Sequence, residues 1–276
     1  FLLEKDIDKK IFLKKKPLTL LGPEYSIIDK SENIEKNRKF TIIFNFGGSG
    51  DIKHCYDILK EIKKYKLDKI QFIIIVGPLS KRVNFVDKLS KIKNVKIVQN
   101  QINLNRIYSK GHIFIGSAGT SVYETINNKL LSILFQISKN QSNSIESLEK
   151  IGHHFFLDYN ELKEKKKIAK LLINLYKNYK FLKNSVFKTN FKIDADGKKR
   201  ILKAIISSNF KRDYILNNHK SVQRPNYFIR KVKFQDINNY LDSRNNQQNR
   251  KYSFNKNKIK RLDHYNWWFE NQRSSY

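Results

Sequence analysis

The chain has 276 residues, of which 39% are hydrophobic and 13% aromatic. This composition allows one large domain or two of ordinary size with a buried core, and it excludes a chain that is disordered throughout. Lys and Arg number 56 against 25 Asp and Glu, and the formal net charge of +31 favours a nucleic acid, an anionic membrane or a phosphorylated ligand as the partner.

The kind of basic residue argues against a nucleic-acid-binding surface. The chain has 45 Lys and only 11 Arg, alongside 30 Asn. Arg is the residue that reads bases and clamps phosphates in a bidentate manner, whereas surplus Lys with surplus Asn is typical of a coding bias. We therefore expect no specific nucleic-acid partner, and a basic nucleic-acid-binding protein stays an alternative.

Cysteine and apolar patterning exclude further classes. Cys55 is the single cysteine, which rules out a disulfide framework and a cysteine-based zinc site, and the six His show no metal-ligand spacing. No apolar run approaches the ~18 residues of a membrane span, and no signal peptide is recognised, so we expect a cytoplasmic protein without a metal. Because the chain contains no Met and begins at Phe1, we expect a fragment of a longer protein.

In chain order, residues 1–21 are basic and weakly patterned, and we interpret them as the tail of a missing upstream element. Five short apolar runs then alternate with stretches of helical spacing. The runs are 40–46, 70–76, 95–98, 112–115 and 130–135, and the helical stretches include 52–65, 121–128, 142–151 and most of 161–208. Continuous apolar strands separated by helices predict an α/β fold with a doubly wound, Rossmann-like parallel sheet over residues 22–210.

A polar, basic linker at 211–226 is predicted to separate a second unit, 227–276. This unit has the pattern of a short strand at 227–232, a polar helix at 235–250 and a helix at 258–270. The aromatic cluster Trp267-Trp268-Phe269 is expected in a core rather than as a base-stacking platform.

The first motif with chemical potential is Phe46-Gly47-Gly48-Ser49-Gly50-Asp51, which follows a strand and precedes a helix. Glycines let the backbone turn sharply and approach an anion, and a helix N-terminus offers free N–H groups. The loop matches neither a Walker loop nor Gly-x-Gly-x-x-Gly. Gly47, Gly48 and Ser49 are therefore candidate phosphate-binding residues, with a tight turn without a ligand as the alternative.

The second motif is the segment 116–124, where small residues and hydroxyls again lead from a strand into a helix. Ser117, Gly119, Thr120 and Ser121 form a second candidate phosphate cradle. Glu124, one turn into the helix, is suited to accept two ribose hydroxyls, and compensation of the helix dipole is its alternative role. Two such loops at one sheet edge favour a ligand with a diphosphate.

The third motif is Asn140-Gln141, which lies between a strand and a predicted helix. Two adjacent amides in such a loop hydrogen-bond a sugar or a phosphate without adding charge. A polar N-cap pair explains the same residues equally well.

Taken in order, these residues resemble the nucleotide-binding C-terminal half of GT-B enzymes. They are most similar to the UDP-sugar hydrolases of pseudaminic acid biosynthesis, which cleave UDP-2,4-diacetamido-2,4,6-trideoxy-β-L-altropyranose. The resemblance covers residues 17–208. Its segments 22–25 and 196–201 favour these hydrolases over the related N-acetylglucosaminyltransferases of cell-wall synthesis.

The resemblance implies UDP binding by the two glycine loops, ribose contact by Glu124, and sugar or phosphate contact by Asn140 and Gln141. Asn140 matches a position implicated in catalysis, and the general base belongs to the N-terminal half, which this chain lacks. The implied reaction releases UDP and a free sugar without a cofactor, and a GT-B glycosyltransferase acting on a UDP-sugar is the alternative. The chain alone is expected to be inactive. Gly50 departs from the family, which often has Asp there.

The segment 227–276 resembles the start of a GNAT acetyltransferase, similar to the enzyme of the same pathway that acetylates a 4-amino sugar nucleotide. The resemblance implies acetyl-CoA as the cofactor of the intact acetyltransferase domain. The loop that holds the acetyl-CoA pyrophosphate in this family does not appear in the sequence. We therefore expect a truncated acetyltransferase unit, fused to the nucleotide-sugar enzyme and inactive as it stands.

Overall fold

Six parallel strands form one sheet in the order β3-β2-β1-β4-β5-β6 in the computed structural model. It describes residues 20, 22–31, 39–65, 67–101, 103–137, 141, 154–188, 193–206, 233–253 and 255–270. The strands are β1 (Phe40–Asn45), β2 (Ile70–Val76), β3 (Val95–Gln99), β4 (Ile113–Ser117), β5 (Leu131–Gln136) and β6 (His154–Asp158). The predicted α/β parallel sheet is confirmed, and each of the five apolar runs overlaps one of the strands β1 to β5, with ends that differ by up to two residues.

Helices lie on both faces of this sheet. The helices that precede β6 are α1 (Ile52–Ile62), α2 (Phe85–Ser90), α3 (Asn105–Ser109) and α4 (Ser121–Asn127). Those that follow it are α5 (Lys165–Lys177), α6 (Tyr179–Lys188), α7 (Gly197–Ile206), α8 (Ile237–Asn245), α9 (Gln247–Lys251) and α10 (Arg261–Glu270). Short 3-10 turns lie at Pro23–Tyr25, Lys63–Tyr65, Tyr159–Lys163 and Phe234–Asp236.

Two apolar clusters, one on each face, explain why the strands are apolar without alternation. Ile42 and Phe44 of β1 join the cluster that packs under α1 and α5, whereas Ile43 between them joins the cluster under α3 and α4. Successive side chains of a strand point to opposite faces, so a sheet that is covered on both faces needs apolar residues at every position.

Several boundaries differ from the sequence prediction. The first helix ends at Ile62, and Lys63–Tyr65 continue as a 3-10 turn. The strand β6 was not predicted, because His154–Asp158 is a short run in which a His and an Asp flank only three apolar residues. The predicted helix at 142–151, the strand at 227–232 and the linker at 211–226 lie outside the described residues.

An approach segment, residues 22–31, leads to the sheet and is held by later parts of the chain. Gly197 at the start of α7 lies so close to this segment that a Cβ on it would stand 2.3 Å from the carbonyl oxygen of Ser26. Arg200 of the same helix donates to the carbonyl oxygen of Glu24 at 2.9 Å, across 176 positions of sequence. The segments 22–25 and 196–201, which carry the hydrolase resemblance together, are thus in direct contact.

A buried amide pair joins the approach segment to α3 and α4. Asn128 Nδ2 donates to Asn105 Oδ1 at 2.8 Å, and Asn105 Nδ2 donates to the carbonyl oxygen of Lys30 at 2.5 Å. Asn128 also accepts a hydrogen bond from the Ser31 hydroxyl at 3.0 Å and donates to the carbonyl oxygen of Glu124 at 2.9 Å. The approach segment is therefore linked through two buried amides to the helix that carries Glu124.

Helices α8 and α10 pack on the sheet rather than standing apart from it. Phe155 of β6 has its ring centroid 5.1 Å from that of Tyr265 and 6.0 Å from those of Phe234 and Phe269. Phe234, Ile237, Leu262 and Tyr265 are buried in the same cluster as the strands. Trp268 and Phe269 are half-buried and pack against this cluster, whereas Trp267, which was expected in the same core, stacks with Tyr240 and His264. The contacts do not show an acetyltransferase unit, and that assignment stays a prediction.

Among the described helices, none has the length and hydrophobicity that crossing a membrane requires.

Candidate functional site

A cavity of about 580 Å³ lies at the carboxyl edge of the sheet. β1 and β4 are neighbours in the sheet, but β2 and β3 follow on the side of β1, and β5 and β6 follow on the side of β4. The cavity lies between β1 and β4, where the strand order changes direction. Open α/β sheets bind their ligands at such a switch point. Its wall comprises Asn45, Gly47, Gly48, Ile75, Val76, Gly77, Pro78, Asn100, Gln101, Leu104, Tyr108, Ser117, Gly119, Thr120, Ser121 and Glu124.

The first glycine loop is fixed by its own backbone geometry and by Asn45. Gly47 has a φ of +86°, a conformation that glycine adopts readily, and its N–H donates to Asn45 Oδ1 at 2.8 Å. A Cβ on Gly48 would meet no atom within 4 Å, so this residue faces open space. The N–H groups of Gly48 and Ser49 donate to no acceptor within the described part of the chain and are available to a ligand.

The loop after β2 supports the first glycine loop from the side. Leu79 N donates to the carbonyl oxygen of Gly48 at 2.8 Å, and Lys81 N donates to that of Gly50 at 2.9 Å. Asp51 caps α1 by accepting from Lys53 N at 3.0 Å and pairs with Arg82 at 2.6 Å. A Cβ on Gly50 would stand 2.6 Å from Phe46 Cβ. A residue with a side chain therefore does not fit this position unless the loop shifts.

Ser117 lies where the two glycine loops meet. Its side chain is buried, and its Oγ is 3.3 Å from the position of a Cβ on Gly47 and 3.8 Å from that of a Cβ on Gly119. Gly119 and Thr120 N–H also lack an acceptor among the described residues. The two loops that the sequence analysis considered separately therefore present backbone donors to one cavity.

Glu124 lies in the wall of this cavity, as expected from its place in the first turn of α4. Burial, followed by the charge of Asp29, raises the pKa of its carboxyl group from 4.5 to about 7. Burial, followed by the charge of Glu124, also raises the pKa of Tyr108. No salt bridge to Glu124 forms among the residues that the structure describes, and a partly buried carboxylate of this kind gains from hydroxyl donors supplied by a ligand.

The remaining predicted residues lie near the cavity or outside the description. Gln141 Nε2 is 4.0 Å from the position of a Cβ on Gly119, and Gln141 Oε1 accepts from Ile137 N at 2.8 Å. Ser49 is exposed beside Gly48 and is not part of the cavity wall. Asn140, the predicted catalytic residue, lies outside the described residues.

Sequence reasoning missed several wall residues, among them Asn45, Gly77, Leu104 and Tyr108. Asn45 and Tyr108 are 63 positions apart, and only the paired strands bring them together. Gly77 had a usable signal, since the apolar run 70–76 ends directly in Gly77-Pro78, the pattern of a strand-end loop at the same sheet edge.

The described residues contain no group of three or more His, Cys, Asp or Glu side chains that could hold a metal ion. Acetyl-CoA, which the acetyltransferase resemblance implies, does not fit the segment given. A pyrophosphate cradle needs glycines for close backbone approach, and residues 227–276 contain none. We therefore derive no step through this cofactor.

The comparison with protein families decides the assignment. Residues 42–201, more than half of the chain and nearly all of the sheet, match the glycosyltransferase family 28 C-terminal domain. The chain belongs to this family. The glycosyltransferase family 28 domain contains both glycine loops and Glu124, and it ends within α7. The predicted relation to GT-B enzymes is confirmed at this level, whereas a hydrolase activity and an acetyltransferase fusion stay predictions.

Solved structures resemble the chain at low sequence identity. A UDP-N-acetylglucosamine 2-epimerase from Listeria monocytogenes has a TM-score of 0.49 and 13% identity over 72% of this chain and 53% of its own. The MurG protein of Acinetobacter baumannii has a TM-score of 0.47 and 14% identity over 62% and 50%. A pneumococcal O-GlcNAc transferase, solved with UDP and GlcNAc, has a TM-score of 0.47 and 14% identity over 65% and 38%. The chain thus spans about half, or less, of these structures. No curated protein matches it in sequence.

Proposed function

We propose that this chain is the UDP-binding half of an enzyme that cleaves a UDP-sugar at its anomeric carbon. The observation that carries the proposal is the convergence of two glycine loops and Glu124 on one cavity at the switch point of the sheet. Backbone N–H donors suit a diphosphate and a carboxylate suits a ribose. The cavity volume of about 580 Å³ lies within the usual range for small-molecule sites, ~300–1,000 Å³.

In the proposed complex the diphosphate lies over the N–H groups of Gly48, Ser49, Gly119 and Thr120. Glu124 accepts hydrogen bonds from the two ribose hydroxyls. Gln101 and Leu104 form the third side of the cavity, which is left for the base. Each donor faces the place where negative charge grows as the UDP oxygen leaves, and such preorganised donors lower the barrier to departure.

The reaction that we propose is hydrolysis. The oxygen of a water molecule bonds to the anomeric carbon, the bond from that carbon to the UDP oxygen breaks, and the water proton passes to a general base. The products are UDP and a free sugar of the 2,4-diacetamido-2,4,6-trideoxy class. Asn140 and Gln141 would contact the sugar or the phosphate, and the base would come from an upstream half of the enzyme. Support comes from segments 22–25 and 196–201, which carry the hydrolase resemblance and contact each other.

Glycosyl transfer is the second candidate, and the family match favours it because the matching domain is a glycosyltransferase domain. The donor site and the broken bond are the same in both reactions. They differ in the acceptor, which is water in hydrolysis and a hydroxyl group of another molecule in transfer.

Two measurements test the proposal in sequence. Titration calorimetry of the 276-residue chain with UDP should show binding at one site, and absence of binding by UDP or uridine would contradict the function. Product analysis of a protein that carries both GT-B halves then separates the reactions. Free sugar supports hydrolysis, and a glycosylated acceptor supports transfer. Displacement of the chain from RNA by salt, with no effect of UDP, would instead support the nucleic-acid alternative.

The acetyltransferase resemblance extends the proposal to the whole polypeptide. A hydrolase fused to a sugar N-acetyltransferase would combine two reactions of one sugar pathway in one chain. Acetylation of a 4-amino sugar nucleotide by a protein that continues beyond residue 276 tests this extension, and a protein without that activity would contradict it.

A further inference from the structure

Asn45 connects the first glycine loop to the side chain of Tyr108. It is the last residue of β1, and only 6% of its surface is exposed. Its Oδ1 accepts from Gly47 N at 2.8 Å, and its Nδ2 donates to the Tyr108 hydroxyl at 2.7 Å. Because a backbone N–H is a donor only, the oxygen of the amide must face Gly47 and the nitrogen must face Tyr108.

The hydrogen bond from Gly47 fixes the start of the turn that contains the next two N–H groups. With the Gly47 N–H bound to Asn45 and its φ at +86°, the chain turns so that Gly48 borders open space. The N–H groups of Gly48 and Ser49 are left without an acceptor in the described part of the chain. Two further bonds hold these peptides, from Gly50 N to the Gly47 carbonyl oxygen at 3.3 Å and from Leu79 N to the Gly48 carbonyl oxygen at 2.8 Å. Losing the Asn45 bond would free the Gly47 N–H and remove the constraint at the start of the loop.

Tyr108 holds the other side of the Asn45 amide. Its side chain is fully buried, its ring packs edge-on against Phe114 with a centroid separation of 5.8 Å, and it contributes to the cavity wall. Burial and the nearby charge of Glu124 raise its pKa, so the phenol stays neutral and keeps accepting from Asn45. One set of side chains therefore connects the glycine loop to the surroundings of Glu124.

We propose that Asn45, locked by Tyr108, is a positioning residue for the diphosphate, and that it acts by orienting the Gly48 and Ser49 N–H groups. This inference rests on the proposed UDP binding. It predicts that replacing Asn45 weakens the binding of ligands that carry a diphosphate and leaves the affinity for the nucleoside alone nearly unchanged. A merely structural residue would weaken both kinds of ligand by the same factor.

The experiment compares UDP and uridine in calorimetric titrations of the full chain. Asn45→Ala should raise the Kd for UDP by about tenfold or more, and it should leave the Kd for uridine within about twofold. Tyr108→Phe removes only the hydroxyl and should raise the Kd for UDP by about threefold to tenfold. Because both residues act through one hydrogen bond, the double variant should bind UDP no worse than Asn45→Ala.

Each outcome has a defined meaning. An unchanged Kd for UDP in Asn45→Ala, or equal weakening of UDP and uridine, would overturn the positioning role. Full additivity in the double variant would overturn the part assigned to Tyr108. If Asn45→Ala does not fold, Tyr108→Phe decides by the same comparison of the two ligands. A wild-type chain that binds neither ligand would overturn the proposed function, and the role of Asn45 with it.

Discussion

Gly77 lies so close to Gly47 that a Cβ on Gly77 would stand 2.6 Å from the Gly47 carbonyl oxygen. The same Cβ would meet Gly48 Cα and Gly48 O at 2.6 Å, so all three nearest atoms belong to backbone. Backbone atoms move only with the whole loop. The loop after β2 therefore determines how far the first glycine loop extends over the cavity.

Gly77→Ala should push these two loops apart. We expect the free energy of unfolding to fall by about 1–3 kcal/mol, the usual cost of overpacking, and the Kd for UDP to rise by about tenfold. Urea denaturation and calorimetry measure the two effects. Gly48→Ala is the matched control for folding, because its methyl group enters open space and should leave the unfolding free energy within about 0.5 kcal/mol. Wild-type UDP affinity in Gly77→Ala would contradict the role of the loop contact.

Glu124 should make UDP affinity depend on pH near neutrality. Burial and then the charge of Asp29 raise the pKa of its carboxyl group to about 7. In the proposed complex the ionised form accepts both ribose hydroxyls. Between pH 8 and pH 6 the ionised fraction falls by about tenfold, and the affinity should fall by up to that factor. Glu124→Gln should lose this dependence, while titration of the UDP phosphate appears equally in both proteins. Parallel pH profiles of the two proteins would refute the ribose contact.

The same carboxyl group should affect stability in the opposite sense. Between pH 4.5 and about 7 the folded protein keeps the Glu124 proton that the unfolded chain releases. The contribution of Glu124 to stability therefore falls as pH rises through this window and is constant above it. Glu124→Gln should be relatively more stable than wild type at pH 8 than at pH 4.5. Urea midpoints at the two pH values measure the difference, and a constant difference would contradict the raised pKa.

The buried amide pair Asn105–Asn128 should contribute more to stability than the half-buried Asn127 beside it. Asn128→Ala removes the donor to Asn105 Oδ1 and the acceptor of the Ser31 hydroxyl, leaving buried polar groups unpaired at a cost of about 1–3 kcal/mol. Asn127→Ala is the control, since Asn127 makes one exposed hydrogen bond, to the carbonyl oxygen of Asp29. It should cost below about 1 kcal/mol in urea denaturation. Equal losses of unfolding free energy in the two variants would show that the buried amide pair contributes no more to stability than Asn127 does.

Phe155 should show that the last helices belong to the same cooperative unit as the sheet. Phe155→Ala leaves a cavity between β6 and α10 and should lower the unfolding free energy by about 3–5 kcal/mol. Phe181, which is 65% exposed, provides the control, and its replacement by Ala should change stability by at most about 0.5 kcal/mol. Calorimetry should show one transition in wild type. Two separate transitions, with only the smaller one sensitive to Phe155→Ala, would contradict a shared unit.

The sheet was predictable because its signal is local. Runs such as Ile70–Val76 are apolar at every position except Gln71, and this pattern is typical of a strand buried on both faces. The glycine loops were predictable for the same reason, since each follows a strand directly. The strand β6 was missed because it is short and polar residues flank its apolar centre. In the folded protein β6 pairs with β5, and the side chains of Phe155 and Phe156 are each only 1% exposed.

The support of the site was not predictable from local patterns. Asn45 has no feature in the sequence that distinguishes it among the abundant asparagines, and its partner Tyr108 lies 63 residues away. The raised pKa of Glu124 depends first on burial and then on Asp29, which reaches α4 only because the approach segment folds across it. Such properties follow from the tertiary fold, so sequence reasoning found the ligand-facing residues better than the residues that hold them.

The coverage of Phe155 by Tyr265, Phe234 and Phe269 has a practical consequence for handling this protein. A chain that ends with α7, the helix in which the family domain ends, would retain every residue of the cavity wall. It would also bare a contiguous apolar face of β6 and α5 to solvent, and faces of this kind promote aggregation. Solubility, rather than nucleotide binding, would be the first property to suffer from such a truncation.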